Sequence, residues 1–212
     1  MTSYDPTTAL LIVDVQNDFA DPAGSLYVKG GEEVVPLINR EIERARAAGA
    51  PVFFTQDWHP ESTPHFQKDG GIWPVHCVMD TWGAELHPDL NAVGPVVRKG
   101  SNGEDGYSGF SMRHPETGET IPTTLAELLG EAGVTQLVIA GLATDYCVKS
   151  TVLDAREKGY PITVIQNGIR AVNLKEDDGD RAIEEMLAAG AFLESRATVS
   201  NTPAAASAED RG

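Results

Sequence analysis

Four side chains capable of acid–base, metal or nucleophile chemistry lie at or just beyond the ends of short apolar runs. They are Asp14 after LLIV, Asp57 after VFFTQ, Lys99 at the end of VVRK, and Cys147 shortly after QLVIAG. Carboxylates serve as general bases or metal ligands, and a thiol beside an ammonium group becomes a better nucleophile. If the four runs are neighbouring strands, the four side chains meet at one site, which favours covalent catalysis by a cysteine.

Cys147 occupies the segment GLATDYCV, where an apolar strand is predicted to give way to a helix. Thr144 and Asp145 are residue types that often cap helices, so Cys147 falls in the first helical turn. Backbone N–H groups and the helix dipole stabilise a thiolate there, which favours an activated nucleophile with a lowered pKa. The alternative is a buried structural cysteine, the commonest state of a free thiol.

Asp14 and Lys99 are the predicted partners of that thiol. Asp14 would take the Cys147 proton as a general base and later deliver it to a leaving group. The alternative is that Asp14 caps a turn together with Asn17 or Asp18. Lys99 would lower the pKa of Cys147 through its positive charge, and the alternative is an ordinary surface lysine.

A second group combines one carboxylate with three imidazoles: Asp57, His59, His65 and His76. Three of the five histidines of the chain therefore fall in one loop. This ligand set suits a divalent ion of borderline softness, such as Zn²⁺, Fe²⁺ or Mn²⁺. Because no cysteine pair accompanies the histidines, we expect an open site that substrate can reach. The alternative is a polar loop that contains histidines and binds no metal.

The elements that would position these residues alternate along the chain. The predicted strands are 9–15, 51–56, 94–99, 136–141, 161–166 and 189–195, and the predicted helices are 32–48, 125–133, 145–158 and 176–189. Continuous apolar strands between amphipathic helices are typical of a parallel sheet covered on both faces. We therefore expect an α/β fold, a doubly wound, mainly parallel six-stranded sheet with helices on both faces. Residues 1–200 would form one domain and 201–212 a flexible tail.

Composition argues against several classes of partner. The 212 residues include 16 basic and 32 acidic side chains, and the net charge of −16 argues against nucleic acid and anionic membranes. No apolar run reaches membrane-spanning length, and residues 1–8 lack the features of a signal peptide, so we expect a cytoplasmic protein. In that compartment the two cysteines are expected to be free thiols.

Five segments match one protein family in their order along the chain. They are LLIVDVQNDF (10–19), TQDWHP (55–60) with His65, WPVHCV (73–78), RKGSNGEDGYSGF (98–110) and GLATDYCVKSTVLDA (141–155). On these segments the sequence resembles the nicotinamidases, also called pyrazinamidases, of the isochorismatase-like cysteine hydrolases. Relatives such as the isochorismatases share the fold but usually lack the Asp-x-His…His…His site, so the two motifs together make the resemblance specific.

The resemblance implies a catalytic triad of Asp14, Lys99 and Cys147. It also implies one divalent metal ion, zinc by preference with iron or manganese as alternatives. The implied metal ligands are Asp57, His59, His65 and His76, with water completing the shell.

The resemblance further implies an unusual backbone beside the nucleophile. The peptide between Leu142 and Ala143 is cis in the family, which would turn the Ala143 N–H toward the substrate. With the N–H of Cys147 it would form an oxyanion hole. Phe19, Trp73 and Leu142 are the expected substrate contacts.

The implied reaction is hydrolysis of nicotinamide to nicotinate and ammonia through a cysteine thioester, in NAD salvage, with the metal anchoring the pyridine nitrogen. Pyrazinamide is an expected further substrate, and no organic cofactor is expected. One alternative is a related amidohydrolase acting on a ureido or carbamoyl substrate, which would need the triad but not the metal site. Others are a non-enzymatic metal-binding or thiol redox-sensing protein and an idle scaffold. Homo-oligomerisation and the role of Tyr146 are left open.

Overall fold

The computed structural model describes residues 2–197, so the predicted tail, 201–212, lies outside the described residues. The described chain forms a six-stranded sheet flanked by helices, and a separate two-stranded hairpin. The strands are β1 (Thr8–Val13), β2 (Val52–Asp57), β3 (Val96–Lys99), β4 (Ser111–Arg113), β5 (Thr120–Pro122), β6 (Gln136–Leu142), β7 (Ile162–Arg170) and β8 (Phe192–Glu194). The expected α/β fold is confirmed.

Five α-helices accompany these strands within residues 2–197. They are α1 (Asn17–Ala20), α2 (Val35–Ala47), α3 (Leu125–Glu131), α4 (Lys149–Glu157) and α5 (Asp178–Ala188). The predicted helix 32–48 divides into a 3₁₀ turn, Glu32–Val34, and α2, which has a proline in its first turn. The longest helix, α2, has 13 residues, and no helix of the described chain is both long and apolar enough to cross a membrane.

The large sheet has the strand order β3–β2–β1–β6–β7–β8, and all its pairings are parallel. The chain builds outward from β1 to β3, and then crosses back to place β6 on the other side of β1. This reversal opens a crevice at the carboxyl ends of β1 and β6, where open α/β sheets bind ligands. Leu10 of β1 marks the centre, because it is paired with both Val52 and Val138.

Two apolar cores lie on the two faces of this sheet. Side chains alternate between faces along a strand, and β1 is buried on both. Leu10 and Ile12 belong to the core that contains the apolar face of α2. Leu11 and Val13 belong to the core on the opposite face, with residues of α3, α4 and α5. The two-sided packing holds β1 at a fixed depth and so fixes the residues that follow it.

The hairpin formed by β4 and β5 was not predicted from the sequence. Its strands pair in antiparallel fashion, with Ser111 opposite Pro122 and Arg113 opposite Thr120. Both strands have three residues and are partly or fully exposed, so they carry no clear apolar period. The hairpin nevertheless fixes the long segment that follows β3, which reaches the edge of the crevice.

Candidate active site

The carboxyl ends of four parallel strands bring the predicted site residues to one edge of the sheet. Asp57 ends β2 and Lys99 ends β3, and the two residues are register partners. Asp14 follows β1 directly and adopts a positive φ of 47°, which turns the chain away from the sheet. Beyond β6 the Leu142–Ala143 peptide is cis, and a five-residue turn, Thr144–Val148, then carries Cys147.

Lys99 contacts three of the polar groups at this edge, Asp14, Asp57 and Cys147. Its Nζ lies 3.0 Å from Asp14 Oδ2 and 3.8 Å from Cys147 Sγ, and it also forms an ion pair with Asp57. The Lys99 side chain is only 1% exposed, which excludes the alternative of a surface lysine. Thr55 donates a hydrogen bond of 2.6 Å to Asp14 Oδ1 and thereby fixes the orientation of that carboxylate.

The charges of Lys99 and Asp57 stabilise each other. Burial lowers the pKa of Lys99, but Asp14 and Asp57 outweigh this effect and hold the pKa well above its usual value. Burial raises the pKa of Asp57, but Lys99 and His59 outweigh it and hold the pKa well below its usual range. Both groups are therefore charged at neutral pH.

Cys147 and Asp14 compete for one proton beside this ion pair. Burial raises the pKa of the Cys147 thiol well above its usual value, Lys99 opposes the rise, and Asp14 and Asp57 add to it. Burial likewise raises the pKa of Asp14, against the effect of Lys99. Lys99 acts on the thiol pKa in the expected direction, but the expected net lowering is wrong, because burial and two carboxylates outweigh the lysine. Asp14 lies close enough to Cys147 to accept the thiol proton.

The three predicted histidine ligands meet beside this array. Ring nitrogens of His59, His65 and His76 lie within 4.8 Å of one another, and all three side chains are buried. The ring centroids of His59 and His65 are 5.0 Å apart, and each lies 5.3 Å from that of His76. Three imidazoles at this spacing can coordinate a single divalent ion.

The hydrogen bonds of these rings fit a metal ion. His76 Nδ1 lies 2.8 Å from the Pro74 carbonyl oxygen, and His65 Nδ1 lies 2.7 Å from Asp105 Oδ1, so the Nε2 atom of each ring is left for coordination. Both ring nitrogens of His59 are buried and lack a hydrogen-bond partner within residues 2–197. Burial lowers the pKa of His76 to about 4, so its imidazole is neutral, the form that binds metals.

Asp57 lies between the histidine group and the lysine. Its Oδ2 is 3.8 Å from His59 Nε2, whereas its Oδ1 pairs with Lys99. The structure therefore brings Asp57 to both the predicted metal ligands and the predicted triad. A metal held by the histidines and Asp57 would share one carboxylate with Lys99.

A narrow pocket opens onto these groups. Its lining includes Phe19, Leu26, Val28, Asp57, His65, Trp73, His76, Tyr107, Ala143, Tyr146, Cys147 and Val172. The predicted contacts Phe19 and Trp73 are among them. Leu142 is not, because its side chain is fully buried in the core beneath and the pocket wall is formed by Ala143 instead. A larger groove between the hairpin and α4 contains none of the predicted site residues.

The sequence interpretation missed residues that build the site, among them Gln16 and Tyr107. Gln16 is fully buried, and its side-chain amide bonds both the N–H and the carbonyl of Asp57, each at 2.8 Å. Tyr107 lines the pocket and accepts a 2.9 Å hydrogen bond from Trp73 Nε1. Gln16 could have been predicted as a site residue, because it lies only two residues after Asp14 and therefore near the end of β1. Nothing in the sequence of the long loop distinguished Tyr107 as a site residue.

Comparison with known proteins places the chain in a family. The isochorismatase domain model matches residues 8–198. A nicotinamidase of Escherichia coli (strain K12) is 40% identical over 206 residues, covering 89% of this chain and 94% of the relative. A crystal structure of the Pyrococcus horikoshii pyrazinamidase in complex with zinc has 36% identity and a TM-score of 0.80, covering 90% of this chain and all of the other. A structure of PnC1 from L. infantum in complex with nicotinate has 35% identity and a TM-score of 0.81, covering 92% of this chain and 96% of the other.

These matches agree with the geometry of the site. The family model spans the whole sheet, from the first residue of β1 to beyond β8. The two solved structures cover 90% and 92% of the chain. By sequence and by fold, this chain belongs to the isochorismatase family.

Proposed function

We propose that this protein is a nicotinamidase, which hydrolyses nicotinamide to nicotinate and ammonia, with pyrazinamide as a further substrate, in NAD salvage. One observation carries the proposal: His65, His76 and Cys147 line the same narrow pocket. A pyridine ring that offers its nitrogen to a metal at the histidines would place its carboxamide toward the thiol. The nicotinamidase and pyrazinamidase relatives support the same substrate.

The proposed metal is one divalent ion, with zinc preferred and iron or manganese as alternatives. His59, His65, His76 and Asp57 would hold it. When bound, the ion would supply Lewis acidity to the pyridine nitrogen and so fix the ring in the pocket. Phe19 and Trp73 would enclose the ring, because both aromatic side chains line the pocket beside His65 and His76.

The first half of the reaction forms a thioester. Asp14 takes the proton of Cys147, and the thiolate attacks the carboxamide carbon. The N–H groups of Ala143 and Cys147 stabilise the negative oxygen of the tetrahedral intermediate. Asp14 then gives its proton to the amide nitrogen, the C–N bond breaks, and ammonia leaves.

The second half returns the enzyme to its starting state. Asp14 takes a proton from water, and the resulting hydroxide attacks the thioester carbon. The C–S bond breaks, nicotinate forms, and the proton on Asp14 returns to the Cys147 thiolate. Lys99 stays charged throughout and stabilises the thiolate whenever it forms, because its Nζ lies 3.8 Å from Sγ.

Ammonia release from nicotinamide tests this function. The purified protein is assayed as prepared, after chelation, and after zinc, iron or manganese is added back. We expect turnover that chelation removes and one ion restores. The contrary result is no ammonia from nicotinamide in any metal state but ammonia from a ureido or carbamoyl substrate. It would identify the protein as one of the related amidohydrolases instead.

A further inference from the structure

The three histidines differ in what holds their rings. His76 is held by a carbonyl group two residues away, at Pro74, and His59 has no hydrogen-bond partner within residues 2–197. His65 alone is held by a carboxylate, Asp105, which lies 40 residues further along the chain. The ring of His65 thus depends on a separate segment of the fold for its orientation.

Asp105 is fixed in place beside β4, at the turn end of the β4–β5 hairpin. Its backbone N–H donates to the carbonyl of Arg113, the last residue of β4, at 3.0 Å in an isolated antiparallel bridge. Its side chain is 51% exposed, whereas that of His65 is 6% exposed. The carboxylate therefore reaches from the surface to a buried ring, and among the described residues it is the one side chain that hydrogen-bonds to His65 Nδ1.

The chemistry of this contact favours metal binding. A carboxylate that accepts the Nδ1 proton leaves the Nε2 lone pair free and makes it more basic. Asp105 would also add a negative charge on the far side of the imidazole from a bound ion, without acting as a ligand itself. Asp105 is not among the residues that line the pocket, so it has no direct route to the substrate.

We propose that Asp105 is a positioning residue for the metal centre, which holds His65 in its coordinating tautomer and ties metal binding to the hairpin. This inference rests on the proposed function, because it requires the histidines to bind a metal. Two residues further on, Tyr107 accepts the hydrogen bond from Trp73 in the pocket wall. The segment that orients a metal ligand therefore also supplies part of the substrate pocket.

The test measures zinc affinity without substrate. Metal-free wild type and the variants Asp105→Ala, Asp105→Asn and Glu116→Ala are titrated with zinc against a chromophoric chelator at fixed pH. Glu116→Ala is the matched control, because it removes an exposed carboxylate from the same hairpin segment. We expect affinity to fall about 10–100-fold in Asp105→Ala, less in Asp105→Asn, and not in the control.

The outcomes separate this inference from the function it rests on. Equal zinc affinity in wild type and Asp105→Ala would overturn the positioning role and leave the nicotinamidase proposal intact. A lower melting temperature of metal-free Asp105→Ala with unchanged zinc affinity would make Asp105 a structural anchor of the hairpin, which also overturns the role. Wild type that binds no divalent ion would overturn the proposed metal site itself. If Asp105→Ala does not fold, Asp105→Asn against wild type decides the question.

Discussion

At the residue scale, Asp57 links the two chemistries of the site. One of its oxygens pairs with Lys99, and the other faces His59. The ammonium group beside the Cys147 thiol and the imidazoles that would bind the metal therefore share a single carboxylate. Substitution of Asp57 would disturb both sets, whereas substitution of a histidine would leave the ion pair in place.

The thiol of Cys147 is expected to be indispensable. Cys147→Ala should lower ammonia release from nicotinamide by more than about 10⁴-fold, because no other nucleophile replaces it. Zinc content, measured by elemental analysis, should not change. Cys77→Ala is the control, since Cys77 is also a buried free thiol but lies outside the pocket lining. Equal losses in the two variants would remove the nucleophile role from Cys147.

Neutralising Asp14 should affect hydrolysis and thiol reactivity in opposite directions. Asp14→Asn removes the general base, so ammonia release should fall by about 10²–10⁴-fold. Because the Asp14 anion raises the pKa of Cys147, its removal lowers that pKa and increases the thiolate fraction at pH 7. Alkylation of Cys147 by iodoacetamide, followed by mass spectrometry with Cys77 as internal reference, should therefore become faster. Parallel losses of both activities would contradict this account of the pair.

Sequence alone predicted residue identities better than residue environments. Asp14, Lys99 and Cys147 could be chosen because each lies at or after the end of an apolar run, and three histidines in one loop predicted a metal site. The raised pKa of Cys147 could not be read in this way, since it depends on how deeply the turn is buried and how close two carboxylates lie. The inward orientation of Leu142 depends on the local backbone and was missed for the same reason.

At the scale of elements, close approach of β1 and β6 positions the base and the nucleophile. Gly141 is near the end of β6, with φ of +126°, and a β-carbon there would lie 2.1 Å from the Val13 carbonyl oxygen. Every other residue type has a β-carbon, which would clash with Val13, so only glycine allows β6 to approach β1 this closely. The glycine therefore lets the two strands carry Asp14 and Cys147 to within reach of each other.

Substitution of this glycine should be far more costly than substitution of a glycine in open space. Gly141→Ala should reduce the free energy of unfolding by more than about 4 kcal/mol, because two strands must separate. Gly133→Ala is the matched control: φ is +68°, no atom lies within 4 Å of the added carbon, and the expected cost is about 1–2 kcal/mol. Urea unfolding of the two variants measures the difference. Equal costs would mean that the strand contact adapts without penalty.

The elements differ in how far the sequence predicted them. The six strands of the sheet were found, because each is an apolar run between turn residues, although β7 extends four residues beyond its predicted end. The predicted helix 145–158 begins instead with the turn Thr144–Val148, whose geometry is set by packing around Cys147. The β4–β5 hairpin is short and mixed in polarity, so only tertiary contacts define it.

At the scale of the whole molecule, a bound metal should stabilise the fold. The histidine ligands come together only in the folded state, so an ion binds that state selectively. At free zinc about 100-fold above its dissociation constant, the melting temperature of the metal-free protein should rise by about 5–10 °C. The rise should be lost in His65→Ala and kept in His114→Ala, as measured by thermal unfolding with and without zinc. An equal rise in both variants would place the ion elsewhere.

Chain order and strand order together divide the site into two parts. Asp14, Asp57, Lys99 and the three histidines belong to the β1–β2–β3 half of the sheet or its loops, whereas Cys147 follows β6 on the other side of β1. A ribosome releases the N-terminal half first. The nascent chain therefore contains the predicted metal ligands and the predicted general base before Cys147 has been synthesised. With Cys147 as the nucleophile, amide cleavage would begin only when β6 docks against β1, so the appearance of activity would report the last step of assembly.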